Sequence, residues 1–240
     1  RKLGHTWLYH PDPDHVTNEW GRFLSGSRRK TGDGTPAEYS NIAHWVVSDE
    51  IQALDFRRVD TNRCAAWFRQ YLVDRGVTSA DIGRNIDEVF YPAEMMFNKV
   101  LPRDAPAGER KLIYYAAKFG HWWSAKQLRQ TSDLIRALPP GLKSETLPSD
   151  HGFFYAWGPP HIGMSYRMMD LFEIGDQFAV DVLSAEDWLG LNHMYGPNYT
   201  WTGGQTHGYL NALFRSAVKE KPVKLFSLIT PSDEGYLKLK

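Results

Sequence analysis

Asp49 and Glu50 stand side by side at the end of an apolar, β-branched run, Ile42-Ala43-His44-Trp45-Val46-Val47-Ser48. A strand that carries acids to its carboxyl end delivers them to the mouth of a parallel α/β sheet, where such proteins gather their chemistry. Two carboxylates flanking a glycosidic bond are what acid/base cleavage of a sugar requires. The competing reading is solvation, because charged residues are mostly exposed and a pair of acids can simply close a buried strand. A second pair, Glu186-Asp187, lies in Ser184-Ala185-Glu186-Asp187-Trp188 after another apolar run. Glu145 and Asp150 stand at the end of a third, and Asp233-Glu234 follow a fourth.

Aromatic residues suit the same chemistry. The chain holds nine tryptophans, and Trp7, Trp157, Trp188 and Trp201 sit beside polar or glycine-rich stretches and not inside periodic apolar ones. Flat rings against the C–H faces of a sugar, with acids for its hydroxyls, make a mixed apolar and polar pocket. Trp67, Trp122 and Trp123 fall at helical spacing and are expected to pack.

Other chemistries leave thinner traces. His10-Pro11-Asp12-Pro13-Asp14-His15 clusters imidazoles and carboxylates, a donor set that could bind a divalent metal in a hydrolase, with His44, His151, His193 or Asp187 adding ligands from elsewhere. No spacing among them demands a metal, and none is expected. The single cysteine, Cys64, excludes an internal disulfide and reads as a small buried hydrophobe inside a helix. There is no G-x-G-x-x-G, no phosphate loop and no G-x-S-x-G elbow, so no nucleotide cofactor is expected and the easiest route to a serine hydrolase is closed. Lys plus Arg and Asp plus Glu both number 28, so no global field recruits nucleic acid or an anionic membrane. A neutral partner, a saccharide, fits that balance.

The elements that must position these groups follow from periodicity. Strands are expected near Leu3 to Tyr9, Ile42 to Ser48, Leu142 to Leu147, Phe178 to Ser184 and Val223 to Ile229. Helices are expected over Thr61 to Arg75, Glu109 to Leu138, Tyr166 to Ile174 and Gln205 to Lys219. Ser25 to Pro36, with Gly26, Gly32 and Gly34, reads as a loop. Strands separated by helices favour parallel pairing with crossover helices, as an open doubly wound sheet or as part of a barrel. At 240 residues with 42% hydrophobic and 23% charged content, the chain can bury a substantial core. No apolar run approaches the roughly 18 residues of a membrane span. Arg1 is not an initiator methionine, and Leu237-Lys238-Leu239-Lys240 reads as the opening of a helix, so the sequence reads as part of something longer.

The order of these features resembles a known group. An apolar strand ending in an acidic pair is followed by Cys64-Ala65-Ala66-Trp67-Phe68-Arg69-Gln70-Tyr71-Leu72. Then come Leu134 to Pro140, Met169-Asp170-Leu171-Phe172, Asp181-Val182-Leu183-Ser184 and Lys221-Pro222-Val223. This arrangement is similar to the retaining β-galactosidases of glycoside hydrolase family 42. The resemblance implies a TIM-barrel-like (β/α)8 fold. The five strands would be numbers three to seven of a partial barrel, in one domain over residues 1–240 truncated at both ends, with a helical insertion over residues 76–140. It also implies that Glu50 is the general acid/base. Two departures stand out: Asp49 replaces the family's asparagine, and Leu225-Phe226-Ser227-Leu228-Ile229-Thr230-Pro231 has no glutamate at the tip of the seventh strand. Glu186 is then the substitute second carboxylate, and Asp49, Asp187, Trp7, Trp157, Trp188 and Trp201 would line the sugar site. A metal-dependent hydrolase built on His10, Asp12, Asp14 and His15, and a carbohydrate-binding protein that has lost its nucleophile, are the alternatives.

Overall fold

The computed structural model describes residues 10–26, 44–48, 51, 53–98, 101–138, 142–148, 169–187 and 203–229. Four strands, β1 (His44–Ser48), β2 (Lys143–Thr146), β3 (Val182–Asp187) and β4 (Lys224–Ile229), form one sheet in sequence order. Every pairing is parallel, as crossover helices between strands require. The expected strand at Leu3 to Tyr9 lies outside the described residues.

One face of the sheet is covered by helices. The second half of α5 (Ala107–Arg136) packs on β1 and β2, and α7 (Gly203–Ala217) packs on β3 and β4. Between them, α6 (Leu171–Asp176) touches both helices. Strand alternation supplies the apolar side: Trp45, Val47 and Leu183 join Leu128, Ile135, Ile174, Phe214 and Val223 in one core. At 30 residues, α5 is about 45 Å long. Its first half therefore reaches past the sheet and seeds a second core, in which Leu112, Ala116, Phe119 and Trp123 meet Phe68, Tyr71 and Leu72 of α2 (Thr61–Asp74). Short helices α3 (Ser79–Ile82) and α4 (Ala93–Asn98) and two 3-10 turns close that second cluster.

Local chemistry explains most element ends. Asp60 caps α2 by accepting from the Arg63 N–H, and Cys64, Phe68, Tyr71 and Leu72 then recur on its buried face. Cys64 is buried, as its setting predicts, and burial pushes its thiol up to about 12. Trp67 and Trp123 stack with ring centroids 4.4 Å apart, and the Trp123 Nε1–H donates to the Pro11 carbonyl at 2.8 Å. These rings serve packing, as expected.

Three expectations need correction. Of the helix read over Tyr166 to Ile174, Tyr166 to Met168 lie outside the described residues; the described helix runs over Leu171–Asp176, because the Asp170 carboxylate accepts from the Phe172 and Glu173 N–H groups and caps it there. The strand read from Phe178 begins at Val182. Phe178 adopts a positive φ of 48° and the Ala179 N–H returns to the Ile174 carbonyl, so these residues close α6 before the strand can start. An unexpected helix, α1 (Pro13–Gly26), takes the first residues of the stretch read as a loop; the remainder of that stretch, through Pro36, lies outside the described residues. Among the described residues, no helix is long and apolar enough to cross a membrane.

Candidate functional site

With Trp45, Val47 and Leu183 turned toward the helices, the opposite face of the sheet carries the alternate residues. Polar groups meet there across three strands. The register aligns Val46 of β1 with Glu145 of β2, and Glu145 with Val182 of β3. The Glu145 carboxylate consequently lies between its neighbours: one oxygen accepts from the Ser184 hydroxyl, and Oε2 lies 3.1 Å from His44 Nδ1. An ionised carboxylate only accepts, so this contact calls for the His44 tautomer that carries its proton on Nδ1. The Glu145 side chain is 13% exposed, and Ser184 is fully buried.

The carboxyl end of β1 is held tightly on both sides of the acidic pair. The Ser48 carbonyl accepts from the Leu147 N–H at 3.2 Å and from Thr146 Oγ1 at 3.1 Å, while the Ile51 N–H donates to the Leu147 carbonyl at 3.0 Å. Two residues separate these anchors, Asp49 and Glu50, and both lie outside the described residues. β3 runs in the same direction and ends on Glu186 and Asp187, whose backbones pair with Leu228 and Ile229 of β4. Both acidic pairs are thus attached to the same edge of the sheet, on strands separated by β2 alone. At about 4.8 Å per strand step, β1 and β3 lie about 10 Å apart laterally, and through Thr146 the β1 tip Ser48 is level with Leu183, three residues before Glu186. Trp7, Trp157, Trp188 and Trp201 lie outside the described residues, as do Asp150, His151, His193, Asp233 and Glu234.

The cluster read as a metal site has a different use. Asp12 Oδ1 accepts from the Asp14 N–H and starts α1, with Pro13 at its first position. Arg63 then takes both acids, Nη1 to Asp12 Oδ2 at 2.8 Å and Nη2 to Asp14 Oδ2 at 2.6 Å. His10 Nδ1 accepts from the Asp12 N–H, and the ring stacks on His15 with centroids 4.0 Å apart. Burial, with the neighbouring His15 adding to it, holds His10 below the usual imidazole range. Among the described residues, no group of three or more His, Cys, Asp or Glu is arranged to hold a metal ion. Asp12 instead caps α1, Asp12 and Asp14 tie it to Arg63 of α2, and His10 and His15 pack ring on ring beside them.

A second buried acid, Asp181, sits at the other end of the sheet, just before β3 begins. Its Oδ2 accepts from Ser144 N, Ser144 Oγ and Arg136 Nε, at 2.9, 3.0 and 3.0 Å. Burial alone would raise this carboxyl, but the Ser144 and Arg136 hydrogen bonds outweigh it and hold the group below the ordinary carboxylate range. The amino end of a parallel sheet is where conservation of structure, not chemistry, is served. Asp181 is a strut.

His44, Glu145 and Ser184 were scattered in the sequence reading: Glu145 as a spare acid, His44 as a spare ligand, Ser184 as a strand residue. Their common signal is a polar residue at an alternate position of an otherwise apolar strand, which only the register turns into one group.

No protein-family model matches this chain, and no curated protein matches it. Among solved structures, the β-galactosidase of the psychrophilic Marinomonas ef1 aligns with a TM-score of 0.54 at 14% identity, over 91% of this chain and 32% of its own. A polyextremophilic β-galactosidase from the Antarctic haloarchaeon Halorubrum lacusprofundi aligns with a TM-score of 0.52 at 17% identity, over 88% of this chain and 30% of its own. The chain spans about a third of the length of each. Its mixed α/β fold, with a parallel sheet, is similar to that part of these enzymes.

Proposed function

We propose that this chain is part of a glycoside-hydrolase-like barrel that cleaves a neutral, β-linked saccharide. The observation that carries the reading is the pinned exit of β1: hydrogen bonds to β2 fix Ser48 and Ile51 on either side of Asp49-Glu50, at the same sheet edge where β3 ends on Glu186-Asp187. The likeness in fold to two β-galactosidases supports it. In this reading β1 to β4 correspond to barrel strands four to seven, and Leu3 to Tyr9 to the third. Residues 76–140 correspond to the helical insertion.

Glu50 donates the proton to the leaving oxygen, and Glu186 faces it as nucleophile or as base for a water. Strands about 10 Å apart laterally, with Glu50 two residues beyond Ser48, are compatible with either working separation, about 5 to 5.5 Å for retention or roughly 6.5 to 9.5 Å for inversion. Asp49 and Asp187 accept hydrogen bonds from sugar hydroxyls, and Trp7, Trp157, Trp188 and Trp201 supply stacking faces. The test is Glu50→Gln in the full chain, assayed with p-nitrophenyl β-galactoside. Turnover is expected to fall by roughly 10² to 10⁴-fold, with the unfolding transition and inhibitor affinity kept. Undiminished turnover in that variant sinks the assignment.

One feature of the sequence favours a second reading. β4 runs through Ile229 into Thr230-Pro231 without an acid at its tip, where a retaining relative carries its nucleophile. A protein that binds the saccharide and does not cleave it would show galactoside affinity without turnover, and Glu50→Gln would leave that affinity unchanged.

A further inference from the structure

The four strands are not equally joined. β3 and β4 share six paired positions, from Val182↔Lys224 to Asp187↔Ile229, and β1 and β2 are further linked at their tips by the Ser48–Leu147–Ile51 backbone bonds. β2 and β3 share two, Glu145↔Val182 and Thr146↔Leu183, and are tied at their amino ends by the Asp181–Ser144 hydrogen bonds, so the seam is least joined toward the carboxyl end. The seam between β2 and β3 therefore divides the sheet into a half that carries Asp49-Glu50 and a half that carries Glu186-Asp187. Any slack in this seam changes the distance between the two acidic pairs.

Glu145 spans that seam with its side chain. One carboxylate oxygen holds Ser184, which lies beyond the last position that β3 pairs with β2, and the other holds His44 of β1 at 3.1 Å. A single rigid group thus links three strands on the face turned away from the helices. Glu145 is the last residue but one of β2, level with Val46 of β1 and Val182 of β3; on β3 that is four residues before Glu186, or about 13 Å along the strand. Ser184 also has the parity of Glu186 in β3, so its hydrogen bond restrains the stretch of backbone from which Glu186 extends.

We propose that Glu145 is a positioning residue: by bridging His44 and Ser184 it sets the separation of the β1 and β3 tips, and with it the geometry of the two working carboxylates. The inference rests on the hydrolase reading above. Misplacing a catalytic group by about 1 Å costs up to roughly 10²-fold in rate, while substrate contacts made elsewhere in the cleft are unaffected. Removing the bridge should therefore lower kcat and leave KM nearly unchanged.

The experiment compares the full chain with Glu145→Ala, Glu145→Gln and Ser184→Ala, using p-nitrophenyl β-galactoside. Glu145→Ala should lower kcat by about 10- to 100-fold with KM within about twofold. Glu145→Gln, whose amide oxygen still accepts from Ser184 but whose nitrogen cannot accept from His44, should fall between it and the parent. Ser184→Ala should also be intermediate, and it covers the case in which Glu145→Ala does not fold. In parallel, ¹⁵N-edited NMR should show a protected His44 Nδ1–H proton in the parent that Glu145→Ala removes. An unchanged kcat in folded Glu145→Ala, with Glu50→Gln inactive, overturns the positioning role and leaves the hydrolase reading standing. A fall carried by KM with kcat intact also overturns it. A parent chain without turnover overturns both.

Discussion

Replacing Asp181 by alanine should cost about 3 kcal/mol of stability, and the figure can be built from its partners. Asp181 Oδ2 accepts from Ser144 N, Ser144 Oγ and Arg136 Nε. Ser144 is fully buried, so its N–H has no water to turn to; an orphaned buried donor costs about 1–3 kcal/mol. The lost hydroxyl bond adds on the order of 1 kcal/mol. Arg136 loses less than a fully buried cation would, because its side chain is 20% exposed and retains Asp133 Oδ1 at 2.7 Å and the Phe178 carbonyl at 3.3 Å. This places the total at the lower end of the 3–5 kcal/mol typical for breaking a buried pair. Asp181→Asn keeps an acceptor for Ser144 and should cost about half as much.

The effect has a pH signature. The folded carboxyl lies below its ordinary value because the Ser144 and Arg136 bonds outweigh the burial that opposes them. A depressed carboxyl contributes stability that is complete above its unfolded value, near pH 4, and is lost as pH falls through the folded value. Urea unfolding of parent and Asp181→Ala from pH 7 downward should therefore give a constant difference until about pH 5 and a shrinking one below it. A difference under about 1 kcal/mol at pH 7, or one that widens on acidification, refutes the reasoning.

Further outcomes follow from packing. Burial that raises the Cys64 thiol to about 12 should leave it unlabelled by a disulfide reagent at pH 8 in the native chain and fully labelled in denaturant; stoichiometric native labelling would contradict the buried placement. Gly175 of α6 lies against the Ala217 backbone so closely that a Cβ would overlap its carbonyl. Gly175→Ala should thus destabilise by about 1–3 kcal/mol, seen as a lower urea midpoint, and an unchanged midpoint would show that α6 and α7 can separate freely.

Much of the framework was legible because it depends on local repetition. Cys64, Phe68, Tyr71 and Leu72 announce α2, and the apolar runs ending at Ser48, Leu147 and Ile229 announce three strands to within about two residues of their observed ends. α1 was missed although its signals are present, Asp12 as cap, Pro13 at the first position and Val16 and Trp20 one turn apart. The clustered acids and imidazoles suggested a ligand set, and only Arg63, 49 residues beyond Asp14, shows that they are charge partners. The start of β3 was misplaced because the positive φ at Phe178 is imposed by closing α6 onto the sheet, which no pattern of residue types records.

The sequence by itself determined most of the helices and strands, that the strands run parallel, and that acids follow two of them. Those properties come from side-chain period and from the length of the connections, which act within a single segment. The tertiary structure decided which residues stand level with one another. A one-residue change of register would turn Glu145 to the helix face, and only the observed pairing brings it between His44 and Ser184. It likewise turned Asp12 and Asp14 from a ligand set into an anchor for Arg63, because long-range pairing is set by packing among segments and not by any one of them.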